Sequence, residues 1–189
     1  MGTQPILAIE HYEPELSAWL LLEYKHCAKL WKKNLVFTRV TQKKTEKVLQ
    51  KFGCVEKEKA DTVFSGKRGI ILDPQAKKPL TPKDCHTFDV IVVGGLLGYE
   101  KPHGRTKKMI SDKSSFETRH LGSIQLSIDG AVFITKAICL GMKLSEIEIA
   151  REIEIIQDPV HSTILPFGYP VIENHPVITP GLVEYLTRL

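Results

Sequence analysis

The chain has 189 residues, 42% hydrophobic and 25% charged, which fits one medium-sized folded domain and excludes a disordered chain. No run approaches the ~20 apolar residues of a membrane span, and Met1–Pro5 lacks the basic and apolar regions of a secretory signal, so a cytoplasmic protein is expected. The net charge of +4 is unevenly spread: residues 1–24 hold four acids and no base, residues 25–119 hold 22 basic against 10 acidic residues, and residues 120–189 hold 4 against 8. A basic middle between acidic ends suits a partner that is anionic over one surface and cationic at the site itself. Solvation of a helix and loop by Lys43, Lys44, Lys47, Lys51, Lys57 and Lys59 is the plainer reading of the same residues.

Pro5 to His11 reads as a first strand, with Ile6, Leu7, Ala8 and Ile9 as its buried run. Ser17 is a good cap for a largely buried helix from Ala18 to Trp31, with Leu16 and Leu21 as a hydrophobic staple. Leu35 to Val40 is a second strand, and Thr41 or Thr45 caps a second helix closing at Gly53. Gly69 to Pro74 is a short buried strand stopped by proline, and Thr81-Pro82-Lys83-Asp84 opens a short helix. A β-branched strand follows from Asp89 to Val93, then a short helix from Arg105 to Ser111. Arg119 to Asp129 reads as a loop ending in the cap Ser127, ahead of an apolar helix from Ile128 to Leu140 that closes at Gly141. Glu152 to Ile155 alternates like a half-exposed strand, Pro166 to Pro170 is irregular, and Thr179-Pro180 starts a last helix. Strands alternating with helices predict an α/β fold with a mainly parallel sheet. The four cysteines lie singly and are expected to be reduced and buried; the dispersed histidines predict no structural metal.

The run Asp89 to Gly98 carries the most information. A buried strand empties into Gly94-Gly95-Leu96-Leu97-Gly98, as a nucleotide-binding strand would. A phosphate loop opens a helix at once, so that the helix N-terminus meets the anion. Here Pro102 and Gly104 intervene, and the glycines need another purpose.

Three loops line up: Leu72-Asp73-Pro74, Gly94 to Gly98, and Leu121-Gly122-x-Ile124-Gln125-Leu126-Ser127 ahead of the buried helix. This set resembles the SPOUT methyltransferases, which thread the C-terminal part of the domain through an earlier loop. Ile9-Glu10-His11-Tyr12-Glu13, Ser17-x-Trp19, Leu22-Glu23-Tyr24, Arg105-Thr106, Arg119-x-Leu121-Gly122 and Pro166-Phe167-x-Tyr169 are similar to one branch. That branch is the SPOUT protein arginine methyltransferase family, whose eukaryotic member modifies a small-subunit ribosomal protein. The resemblance implies a single α/β SPOUT domain over residues 1–189, a C-terminal trefoil knot flanked by helices, and an extension from about residue 150. It implies S-adenosylmethionine as donor, held by Leu72, Asp73, Gly94, Gly95, Leu97, Gly98, Arg105, Leu121, Gly122, Gln125 and Leu126. The family pattern has an acid directly after Leu97-Gly98; this chain has Tyr99 and then Glu100, so the role falls to Glu100 or is lost.

Arginine is a poor nucleophile because its charge is delocalised and its pKa exceeds ~12. The donor sulfonium is cationic too, so carboxylates must hold the guanidinium and offset the repulsion. Glu10 at the end of the first strand and Asp129 in the first turn of the buried helix are expected to orient the guanidinium or accept its proton, with Glu13 assisting. A helix cap for Asp129 and solvated acids for the other two are the plainer readings. Arg105 suits the donor carboxylate, a phosphate or a local acid, and Tyr169 either walls the pocket or fills the core. Two functions stay open. One is arginine methylation of a ribosomal protein by a monomer whose basic middle contacts RNA; the other is methylation of an rRNA or tRNA base or ribose.

Overall fold

A computed structural model describes residues 4–98, 104–158 and 160–188. Six strands form one wholly parallel sheet: β1 (Ile6–His11), β2 (Leu35–Thr38), β3 (Cys54–Val55), β4 (Gly69–Leu72), β5 (Val90–Gly95) and β6 (Glu117–Arg119). Their order is β3-β2-β1-β5-β4-β6, which puts the β-branched runs of β4 and β5 where both faces are covered. The helices of this body are α1 (Ala18–Trp31), α2 (Lys43–Leu49), α3 (Ala60–Val63), α4 (Pro82–Thr87), α5 (Arg105–Met109) and α6 (Ile128–Cys139).

Side-chain alternation along the strands sorts the core into two layers. Leu7, Ile9, Leu72, Ile91 and Val93 pack with Leu20 and Tyr24 of α1 and Val132, Ile134 and Ile138 of α6. Ala8, Ile71, Val90 and Val92 point to the other face, against Ala60, Phe64 and Ile110. Local signals place the helix starts. Ser17 Oγ accepts the Leu20 N–H at 3.2 Å, and Ser127 Oγ accepts that of Gly130 at 3.1 Å. Thr81 and Asp84 form a reciprocal capping box at α4.

The chain from β6 into α6 is laced between two earlier loops. His120 N donates to Lys78 O, Leu80 N donates to His120 O, and Arg119 binds Asp84 Oδ1 at 3.1 Å through Nη2. The side chain of Gln125 meets the space in front of Gly98 before α6 turns back beneath the sheet. Past it, β7 (Ile149–Ala150), β8 (Ile153–Ile156), β9 (Ser162–Leu165), β10 (Tyr169–Ile172), β11 (His175–Pro176) and α7 (Leu182–Leu186) surround a third cluster built on Ile155, Leu165, Tyr169, Leu182 and Leu186.

Several boundaries differ from the sequence reading. β2 stops at Thr38 because Arg39 takes a φ of 60°. Gln42 holds the N-cap position of α2 without a side-chain bond, so neither Thr41 nor Thr45 caps it. The last helix starts only after Gly181, whose φ of 85° resets the chain. The strand Glu117–Arg119 takes in Arg119, where the loop was expected to begin, and the strand Tyr169–Ile172 takes in Tyr169 and Pro170 of the stretch expected to be irregular. Cys85 and Cys139 are paired as a disulfide between α4 and the end of α6, with Cα atoms 5.3 Å apart, which corrects the expectation of four free thiols.

Candidate functional site

A cavity opens at the C-terminal ends of β4 and β5, where α/β folds usually place their sites. Ten of the residues read from the sequence as donor ligands line it: Leu72, Asp73, Gly94, Leu97, Gly98, Arg105, Leu121, Gly122, Gln125 and Leu126. Gly95 does not. A Cβ there would meet the Tyr24 hydroxyl, the Glu10 carbonyl oxygen at 3.0 Å and the His11 Cα at 3.2 Å, so close packing against α1 and β1 requires this glycine. Gly98 is different: a Cβ would strike the Gln125 amide and the Phe167 ring, so the second loop lies directly against the third loop and the C-terminal extension. Val93, Leu96, Ile128 and Ala131 also line the cavity and were not singled out from the sequence, although they flank residues that were.

Asp73 and Arg105 are the only charged side chains among the described lining residues, and both are occupied. Asp73 Oδ1 accepts the Gln75 N–H at 2.9 Å and Oδ2 accepts the Ser111 hydroxyl at 2.7 Å, which fixes the first loop. Arg105 Nη1 donates to Glu13 Oε1 at 3.1 Å and to the Leu97 carbonyl at 3.2 Å. Glu13 Oε1 also accepts the Leu97 N–H at 2.9 Å. One ion pair thus grips both backbone groups of Leu97. The third loop is braced from outside: Gly168 N donates to the Gln125 carbonyl at 2.7 Å, and Leu126 bridges Gly168. Such a cavity is apolar and rich in backbone, with no free phosphate-binding cation among its described lining. A cationic, phosphate-free cofactor suits it.

The three acids expected to do chemistry sit in three different settings. Glu10 is on the opposite face of the sheet from α6, in line with Ala8. Its Oε2 accepts the Ala60 N–H at 2.9 Å, and its Oε1 accepts the Tyr12 hydroxyl at 2.8 Å. The carboxylate is 2% exposed and caps α3, which corrects its reading as a reacting group. Replacing Glu10 by alanine is expected to cost about 1–2 kcal/mol in urea denaturation, with donor affinity unchanged.

Asp129 lies in the first turn of α6 as expected, but it is 1% exposed and saturated. Its Oδ2 accepts from Thr179 Oγ1 at 2.6 Å and His26 Nδ1 at 2.7 Å, and its Oδ1 accepts the Gly130 N–H at 3.0 Å. Its carboxylate therefore ties α6 to α1 and the C-terminal segment. Beside it, Glu23 accepts from Trp19 Nε1 at 2.6 Å and from Ile128 N at 2.9 Å. Burial first, and then the Asp129 charge, push the Glu23 carboxyl up to about 8. His26, Thr179 and the role of Glu23 were invisible in the sequence, because their partners come from three distant segments.

Glu13 alone of the three is bonded to residues that line the cavity, Leu97 and Arg105. Its side chain is 15% exposed, and among the described residues Oε2 has no hydrogen-bond partner. Tyr169 is fully buried in the third cluster, which assigns it to core packing. Tyr99, Glu100 and Pro102 lie outside the described residues.

Comparison with known proteins adds relatives to this geometry. Residues 6–189 match a family described as "Protein arginine N-methyltransferase SFM1-like". Protein arginine N-methyltransferase SFM1 of Saccharomyces cerevisiae is 27% identical, the match covering 95% of this chain and 93% of that protein. A crystal structure of the yeast SFM1 enzyme complexed with SAH superposes with a TM-score of 0.87 at 26% identity, covering 96% of this chain and 94% of that one. A Trm10 structure from Thermococcus kodakaraensis shares the fold, with a TM-score of 0.59 at 14% identity over 75% of this chain and 96% of that one.

Proposed function

Since the chain belongs to the SFM1-like family of protein arginine N-methyltransferases, we propose that it transfers a methyl group from S-adenosylmethionine to an arginine of a small-subunit ribosomal protein. The observation that carries this reading is the cavity itself, walled by three backbone-rich loops, with Glu13 bonded to Leu97 and Arg105 of its wall. SAH is what S-adenosylmethionine becomes on losing its methyl group, and the yeast relative is complexed with SAH.

The chain's residues fit that donor. Leu72, Leu121, Leu126, Ile128 and Ala131 offer apolar walls, while Leu97, Gly98 and Gly122 let the main chain approach closely. Bound there, the donor supplies an electrophilic methyl on a sulfonium centre. Arg105 and Glu13 hold the Leu97 peptide in place, so the pocket is formed before the donor arrives. Glu13 Oε2 receives the substrate guanidinium through a charge-assisted hydrogen bond and offsets the repulsion between two cations. The proton released as the nitrogen is alkylated passes to this carboxylate or to solvent. We also propose that the enzyme works as a monomer in the cytoplasm.

Incubation with methyl-labelled S-adenosylmethionine and either small-subunit ribosomal proteins or protein-free ribosomal RNA tests the assignment. Acid-stable label on protein, recovered as methylarginine after hydrolysis, is the expected result. Label in RNA alone would overturn it in favour of nucleotide methylation.

A further inference from the structure

One face of the molecule is set apart by charge. From Lys25 to Gly53 the chain carries nine basic residues and a single acid, Glu46. Lys25 and Lys29 recur at four-residue spacing along α1 and continue into Lys32 and Lys33. Lys43, Lys47 and Lys51 repeat the spacing along α2 and just past its end, with Lys44 alongside. All eight lysines are exposed, and among the described residues none forms an ion pair. Like charges four apart on a helix cost about 0.2–0.5 kcal/mol per pair, so an unbroken double row weakens the helices that carry it.

The two rows meet at a cleft walled by Lys25, His26, Lys29, Lys51, Phe52 and Pro180. Lys25 Nζ stands 6.0 Å from the centre of the half-buried Phe52 ring. Cations along a groove with an aromatic surface between them suit a chain of phosphates carrying bases. A membrane would also need projecting apolar side chains. Among the described residues the exposed large apolar side chains are Leu140, Met142, Ile156, Val160, Ile164 and Ile172, none of them on α1 or α2. The donor cavity shares no lining residue with this cleft.

We propose that the α1–α2 lysine face binds the phosphate backbone of RNA and docks the protein on nucleic acid next to its target. Only the word target rests on the methyltransferase reading; RNA binding by this face stands apart from it. Fluorescence anisotropy with a labelled single-stranded RNA of about 20 nucleotides, at salt from about 50 to 200 mM, tests the proposal. The variant Lys25→Glu/Lys29→Glu/Lys47→Glu/Lys51→Glu is expected to bind at least about 30-fold more weakly. The slope of log K against log salt should fall by about 2–3, because each lost phosphate contact on a single strand removes about 0.7. SAH affinity by calorimetry and methylation of isolated protein substrate should not change, which keeps a failure of this proposal distinct from a failure of the enzymatic one. Wild-type affinity in the variant would overturn the proposal. So would an equal loss from Lys67→Glu/Arg68→Glu/Lys108→Glu elsewhere on the surface, or tighter binding to phosphatidylserine vesicles than to RNA.

Discussion

Replacing Asp129 by alanine is expected to destabilise the fold by about 3–5 kcal/mol, the largest effect of any single substitution at the site. The carboxylate is buried and accepts from His26 and Thr179, so truncation strands donors from two other segments at once, while the Gly130 N–H keeps Ser127 Oγ. Thr179 leads into the segment that carries α7, and Ile128 lines the cavity, so the loss also loosens the third loop. Asp129→Asn keeps the shape and some of the acceptors, and should cost roughly half as much. Urea denaturation monitored by tryptophan fluorescence measures both. A cost under about 1 kcal/mol for the alanine variant would show that the network is dispensable.

The neighbouring Glu23 makes this network sensitive to pH. Its carboxyl is raised from 4.5 to about 8, by burial first and by Asp129 second. The folded state therefore holds a proton that the unfolded chain has already released. The stability linked to that proton is complete below about pH 4.5 and is lost as pH rises through about 8, with a slope of at most about 1.4 kcal/mol per unit. Glu23→Gln keeps an acceptor for Ile128 or Trp19 and removes the titration, so its stability should be flat over the same range. Asp129→Asn should shift the fall to lower pH, because the repelling charge is gone. Parallel slopes in all three proteins would rule Glu23 out as the titrating group.

How much of this was legible in the sequence depended on the range of the interaction. Ser17, Ser127 and the Thr81–Asp84 box act within four residues, and each caps the helix it was expected to cap. The glycine loop was expected at a binding cavity through its resemblance to the SPOUT pattern, and Gly94, Leu96, Leu97 and Gly98 do line one. Glu10 was misplaced because strand position was weighed without strand parity. Leu7, Ile9 and His11 share one face, so residue 10 points to the other, a consequence of period-two geometry that the sequence contains. The Asp129 network and the Cys85–Cys139 pair could not be found this way. Their members are separated by up to 103 and 54 residues, and only the packing of α1 and α4 against α6 brings them together.

Separating the two tasks assigned to Glu13 gives the second large effect. Arg105→Met removes both bonds from Nη1, to Glu13 and to the Leu97 carbonyl, and should weaken SAH binding about 10- to 100-fold by calorimetry. The same variant should leave turnover at saturating donor within a few-fold, because Arg105 acts through the loop. Glu13→Gln retains an oxygen able to accept the Leu97 N–H, so donor affinity should change by no more than about threefold. Its amide cannot offset a guanidinium charge, and turnover should fall about 100-fold or more. Glu13→Ala combines both losses. If Glu13→Gln lost donor affinity in proportion to turnover, the carboxylate would be a brace for Leu97 and nothing more, and the guanidinium would have to be held by a group other than Glu13. If turnover fell while donor affinity held, Glu13 would be the group that meets the substrate.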